Sequence, residues 1–263
     1  MRYTQTLRML NGLKWLAIVF ACFYAFVVVV AASNGVIGHI PSSKHSSFEI
    51  PLPALFALAA FVTCIFISRY GRTLSEENED HLPVTWTRPA SRVQTVLSIV
   101  GVDALGILAS FAMYLALSAL FITTFQVWKY VVVPGDAFVQ FMRYIVQPFA
   151  FYALIMALTA STGRAGRGLV GWFWVGAIVL IITASSPFIP NPWHAIVNFV
   201  DFLNPLAYGS YHTTSGTETI NVMGGPSPTY VAGLTPAMDA AGLLILFAVG
   251  LTLGLIQWRR LEA

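Results

Sequence analysis

Charge is scarce in this chain. Asp, Glu, Lys and Arg together make up 10% of its 263 residues, against roughly 25% in soluble domains. An ordinary water-facing globular surface is therefore excluded. Cysteine is scarcer still. Cys22 and Cys64 lie inside apolar runs without CxxC spacing, so they supply neither a disulfide framework nor a zinc site and read as small packing residues. Several catalytic signatures are also missing. No Gly-Lys-Ser/Thr ending closes a phosphate loop, no His-Glu-x-x-His helix offers a metal site, and no Gly-x-Ser-x-Gly element presents a nucleophile. The chain is thus not expected to be an enzyme, to bind a metal or to hydrolyse ATP by itself. Lys and Arg are absent altogether from residues 187–236.

What is abundant is apolar surface. Hydrophobic residues reach 57% and mean hydropathy is +0.74, which places the chain among polytopic membrane proteins. A helix crossing lipid needs about 20 mostly apolar residues. Six stretches qualify: Trp15–Ser33, Pro53–Ser68, Thr95–Val127, Phe138–Thr159, Leu169–Ser185 and Ala237–Gln257. Each is expected to be helical, because backbone groups in hydrocarbon must satisfy one another. The first run is too long for the apolar core of a signal peptide, about 7–15 residues, and reads as an uncleaved span. The third is longer than a span requires, which implies tilt or continuation beyond the bilayer.

The basic residues set the orientation. With the N-terminus inside, Arg2, Arg8, Lys14, Arg69, Arg72, Arg88, Arg92, Arg164, Arg167, Arg259 and Arg260 fall on inner segments. Only Lys44 and Lys129 fall on outer ones, and Arg143 lies within a span. Cytoplasmic loops carry the excess of Lys and Arg, so the expected fold is an all-α polytopic membrane protein with six transmembrane helices, both termini inside. Residues 1–263 read as a single transmembrane domain. Its first fourteen residues, with Leu7, Leu10 and Leu13 at helical spacing among Arg2, Arg8 and Lys14, predict a short interfacial helix.

Two segments outside the spans stand out. Residues 69–94 form a cytoplasmic loop, and Glu76, Glu77, Glu79 and Asp80 within it hold four of the eleven acidic residues in five positions, followed by Arg88, Pro89 and Arg92. A compact charged loop joined to spanning helices suits docking of a soluble partner, for which electrostatic complementarity sets orientation and choice. The extracytoplasmic segment 187–236 contains Asn191-Pro192, a helix start with Asn as cap and Pro at the first position. Trp193, Ile196, Val197, Val200 and Leu203 then recur on one helical face, until Asn204-Pro205 ends the pattern. This predicts a short amphipathic helix at the outer surface or dipping into it.

Three ionisable residues fall inside spans. Asp103 lies near the inner end of the third, and Arg143 and Asp239 near the outer ends of the fourth and sixth. Such groups are costly in lipid and are functional candidates by default, although their depth also allows snorkelling or helix packing. Two further sets could line a path: Phe23, Tyr24 and Phe26 in the first span, and Tyr114, Ser118, Thr123 and Thr124 in the third. Aromatics at such spacing more often pack or face lipid.

The order of these features resembles the permease subunits of type-2 ABC exporters. Glu76 followed by Pro89-Ala-Ser-Arg92 is similar to the family's acidic residue and Pro-Val-Ser-Arg segment between spans two and three. Asp80-His81 stands where a Gly usually follows the acidic residues. The amphipathic stretch from Trp193, ending in Asn204-Pro205-Leu-Ala-Tyr208 before the last span, resembles the family's re-entrant outer helices. The resemblance covers essentially the whole chain and rests on order and topology. It implies a transport subunit without catalytic residues of its own, in a bacterial inner membrane. A second permease copy or homologue would pair with it, and separate ATPase subunits would bind ATP and Mg. Glu76, Glu77, Glu79, Asp80, Arg88, Pro89 and Arg92 would couple those subunits to the helices. Membrane lipid, and no nucleic acid, is the expected surrounding. The competing classes are a stand-alone ion-coupled carrier and an intramembrane enzyme.

Overall fold

Helix is the form in which an apolar chain satisfies its own backbone hydrogen bonds, and the chain is helical nearly throughout its described length. The computed structural model describes residues 2–33, 50–70, 92–162, 165–184, 203–206 and 236–260, with Ile196 and Val200. The helices are α1 (Arg2–Ser33), α2 (Leu52–Tyr70), α3 (Arg92–Thr124), α4 (Ala137–Thr159), α5 (Ala165–Ala184) and α6 (Pro236–Arg260). Five of them, α1 to α4 and α6, are long and apolar enough to cross a membrane, while α5 carries a shorter apolar stretch, Gly168–Leu180. The six apolar runs of the sequence thus each become one helix, with ends displaced by a few residues everywhere but at the start of the first.

The largest displacement is at the start. The first fourteen residues do not form a separate helix: α1 runs unbroken through Lys14. No Pro interrupts it, and Gly12 serves a contact rather than a break. A Cβ there would meet three carbons of the Tyr70 ring at 3.0 Å. The neighbouring Arg8 directs a guanidinium nitrogen to the Arg69 carbonyl at 3.5 Å. Leu7 and Leu10 face outward, while Met9 is buried. At 1.5 Å per residue a 32-residue helix is about 48 Å long, well beyond the ~30 Å thickness of a bilayer's hydrocarbon core.

The described residues divide into two compact units, one reaching Phe141 and the other beginning at Met142. In the first, α1 and α3 run parallel. Met9 abuts Gly106, Phe20 packs edge-on against Tyr114 at 5.9 Å, and a 2.6 Å hydrogen bond joins the Tyr24 and Thr124 hydroxyls. α2 returns antiparallel to α1, its end lying beside Arg8 and Gly12. α3 stops on Gln126, whose φ of 53° lets the amides of Gln126 and Val127 reach the carbonyls of Thr123 and Ile122, a left-handed helix ending. A short parallel pairing of Ile50–Pro51 (β1) with Val131–Val132 (β2) ties the start of α2 to the chain beyond α3. Cys64 is fully buried in α2 and Cys22 is exposed on α1.

In the second unit α4 and α6 also run parallel. The contacts advance in step along both: Arg143 with Asp239, Ala150 with Leu243, Phe149 with Phe247, Ala153 with Gly250 and Met156 with Gly254, and Ser161 with Gln257. α5 lies antiparallel to α4, with Phe173 and Trp174 both on the Phe151 ring. The approach of α4 and α6 is closest at the glycines. A Cβ on Gly250 would lie 2.8 Å from the Ala153 carbonyl carbon, and one on Gly254 would lie 2.6 Å from the Met156 methyl carbon. Small residues permit such approach between membrane helices.

Candidate functional site

Hydroxyl groups in these helices mostly serve their own backbone. Thr63 donates to the Ala59 carbonyl at 2.7 Å, Ser118 to Tyr114 at 3.0 Å, Thr123 to Ala119 at 2.7 Å and Thr159 to Ile155 at 2.7 Å. Each is satisfied one turn back, as a hydroxyl without water must be. Of the two sets that could have lined a path, Tyr24 and Thr124 share a hydrogen bond, Phe23 and Tyr24 pack on Phe121 at 5.9 and 5.0 Å, and Phe26 is exposed.

Polar side chains with longer reach gather on α4. Arg143 and Gln147 stand one turn apart, so they share a face, and both are buried. Arg143 Nη1 donates to Asp239 Oδ2 at 3.3 Å, with the two side chains 1% and 0% exposed. The Arg143 guanidinium carbon lies 4.3 Å from the Tyr144 ring centroid, within cation–π range. Asp239 sits in the first turn of α6, where the helix dipole favours a carboxylate. The pair is nonetheless incomplete. Among the described residues, Arg143 Nε and Asp239 Oδ1 have no hydrogen-bond partner. One long contact joins two groups that could make two parallel ones.

Beside it the chain after α5 is strapped down. Gln147 Nε2 donates to the Pro205 carbonyl at 2.9 Å. Asn204 Nδ2 donates to the Ala177 carbonyl at 3.1 Å, and its Oδ1 accepts from the Leu206 amide at 3.1 Å. The second bond is an Asx turn, in which the side chain stands in for backbone and redirects the chain. Gln147 lies ten residues into α4, about 15 Å along its axis. Ala177 lies seven residues before the end of α5, about 10 Å in. Residues 204–206 are buried, and these bonds satisfy a carbonyl and an amide that no helix would.

Two of the three membrane charges singled out from the sequence, Arg143 and Asp239, are therefore partners. The third, Asp103, is fully buried in α3 of the other unit. Asn204 and Pro205 form the strap, whereas Trp193 and Tyr208 lie outside the described residues. So do Glu76, Glu77, Glu79, Asp80, Arg88 and Pro89, and Arg92 is the first residue of α3. Gln147 was missed, yet its signal was present: Gln140, Arg143 and Gln147 recur at i, i+3 and i+7 in an apolar run. No protein-family model matches this chain, and neither does any curated protein or solved structure. The site's own side chains offer ion pairing, hydrogen bonding and helix-to-helix linkage.

Proposed function

We propose that this chain is the membrane-spanning permease subunit of an ATP-driven transporter of the type-2 ABC exporter class. In this reading it pairs with a second permease subunit and with two separate ATPase subunits in a bacterial cytoplasmic membrane. The observation that carries the proposal is the arrangement of the last three helices. α4 and α6 run parallel, with α5 antiparallel to α4. Taking α5 as a sixth span, its 20 residues reach about 30 Å, one hydrocarbon thickness. The C-terminus then returns to the side of the N-terminus, which carries the basic residues. This reading expects the charged segment 75–92 on that side as well, where a soluble ATPase would dock. The strap at Asn204–Leu206 supports the re-entrant part of the resemblance, since non-helical backbone at membrane depth is tolerated where protein covers it.

Purification of tagged chain from its own host in mild detergent tests the proposal. A stoichiometric ATPase subunit, lost when Glu76, Glu79 and Arg92 are changed to Ala, is the expected result. A chain that purifies without any ATPase overturns it. The buried Arg143–Asp239 pair supports a second reading, a stand-alone ion-coupled carrier, because charges inside membranes often mark ion pathways. Transport by the purified chain alone in vesicles, driven by an ion gradient, would establish that reading instead.

A further inference from the structure

The interface of α4 with α6 is unlike at its two ends. At Gly250 α6 lies against the Ala153 backbone, with no room for a single added carbon, and one turn on the Met156 side chain closes over Gly254. At Arg143 and Asp239 they are joined by one 3.3 Å contact, with Nε and Oδ1 both buried and without a hydrogen-bond partner among the described residues. Between lie Val146, Ala150, Leu243, Leu246 and Phe247, an apolar seam without further polar links among the described residues. A buried pair that leaves polar valences unmet gains little over an apolar pair of similar volume, yet opening would hydrate all of those valences at once. The closed state is thus weakly held where the charges are and firmly held where the glycines are.

From this asymmetry we infer that α4 and α6 form a hinged gate. The Gly250–Gly254 contact is the fulcrum, and the Arg143–Asp239 pair is a latch that opens by hydration toward the end of the helices where α4 and α6 begin. Opening exposes the Leu243–Val146 seam to water and leaves Met156 covered. Only the packing of these two helices enters the inference, so it is independent of whether an ATPase binds.

Thiol labelling in native membrane vesicles tests the gate. Cys22 and Cys64 are first replaced by Ala, and a single Cys is placed at Leu243, at Val146 as a second seam probe, or at Met156 as the fulcrum control. A small charged methanethiosulfonate is added from the side where α4 and α6 begin. The expected result is slow labelling at both seam positions and none at Met156. With Arg143→Met and Asp239→Leu together, opening exposes apolar groups instead of charges, and seam labelling falls by about tenfold or more. With Asp239→Asn alone, Arg143 is left without its counter-charge and seam labelling rises. Equal rates in all three backgrounds would mean a static packing pair and overturn the inference. Labelling of Met156 as fast as the seam would overturn the fulcrum.

Discussion

At the residue scale, the cost of breaking the Arg143–Asp239 pair differs from the value of having it. Asp239→Ala leaves a guanidinium buried without a counter-charge, and loss of one partner of a buried pair costs roughly 3–5 kcal/mol. Replacing both, as Arg143→Met with Asp239→Leu, removes the charges along with their desolvation penalty. Its stability is expected within about 1 kcal/mol of the parent or above it. Thermal unfolding of the two variants in detergent checks both figures. A second contrast concerns glycines. Gly250→Ala drives a methyl group into the Ala153 carbonyl and is expected to cost about 1–3 kcal/mol, as overpacking does. Gly171 in α5 has nothing within 4 Å, so Gly171→Ala there gains up to about 1 kcal/mol of helix propensity. The opposite order of midpoints would show that the glycine contact is not tight.

At the scale of elements, the strap at residues 204–206 depends on Asn204 more than on its neighbours. Asn204→Ala removes the bond to Ala177 and leaves the buried Leu206 amide without its Asn204 partner, at a cost of about 1–3 kcal/mol. Limited proteolysis of the 187–236 segment is expected to be faster in this variant than in Leu203→Ala, because Leu203 is exposed. Unchanged cleavage would show that the segment is held elsewhere. The helices themselves were legible because lipid-crossing runs need only length and apolarity, and the spans expected at Phe138 and Ala237 begin one residue from the observed helices. The continuity of α1 was not legible. Basic residues among leucines suggest an interfacial helix, but whether a chain bends at Lys14 depends on what Gly12 touches, and Tyr70 lies 58 positions away. Partnership of Arg143 with Asp239 was hidden for the same reason. Each charge was visible in its own run, while the pairing required the register of two parallel helices.

At the scale of the molecule, both termini are expected on one side of the membrane. Reporter fusions after Ala263 and before Met1 should give the same compartment signal, and a fusion within 125–136 the other. Opposite signals at the two termini would remove one span, α5 being the helix with the shortest apolar stretch. The charged segment 75–92 would still flank α2 and α3, so its side would be decided separately by the same fusions.

The two cysteines carry one more consequence. Cys22 faces outward from α1, toward lipid or detergent, while Cys64 is sealed against neighbouring helices in α2, so the wild-type chain contains its own thermometer. An uncharged thiol reagent that partitions into the micelle should take up its first equivalent at the outward-facing Cys22. A second equivalent should follow only as heat uncovers Cys64, reporting the melting of the first unit without any engineered label.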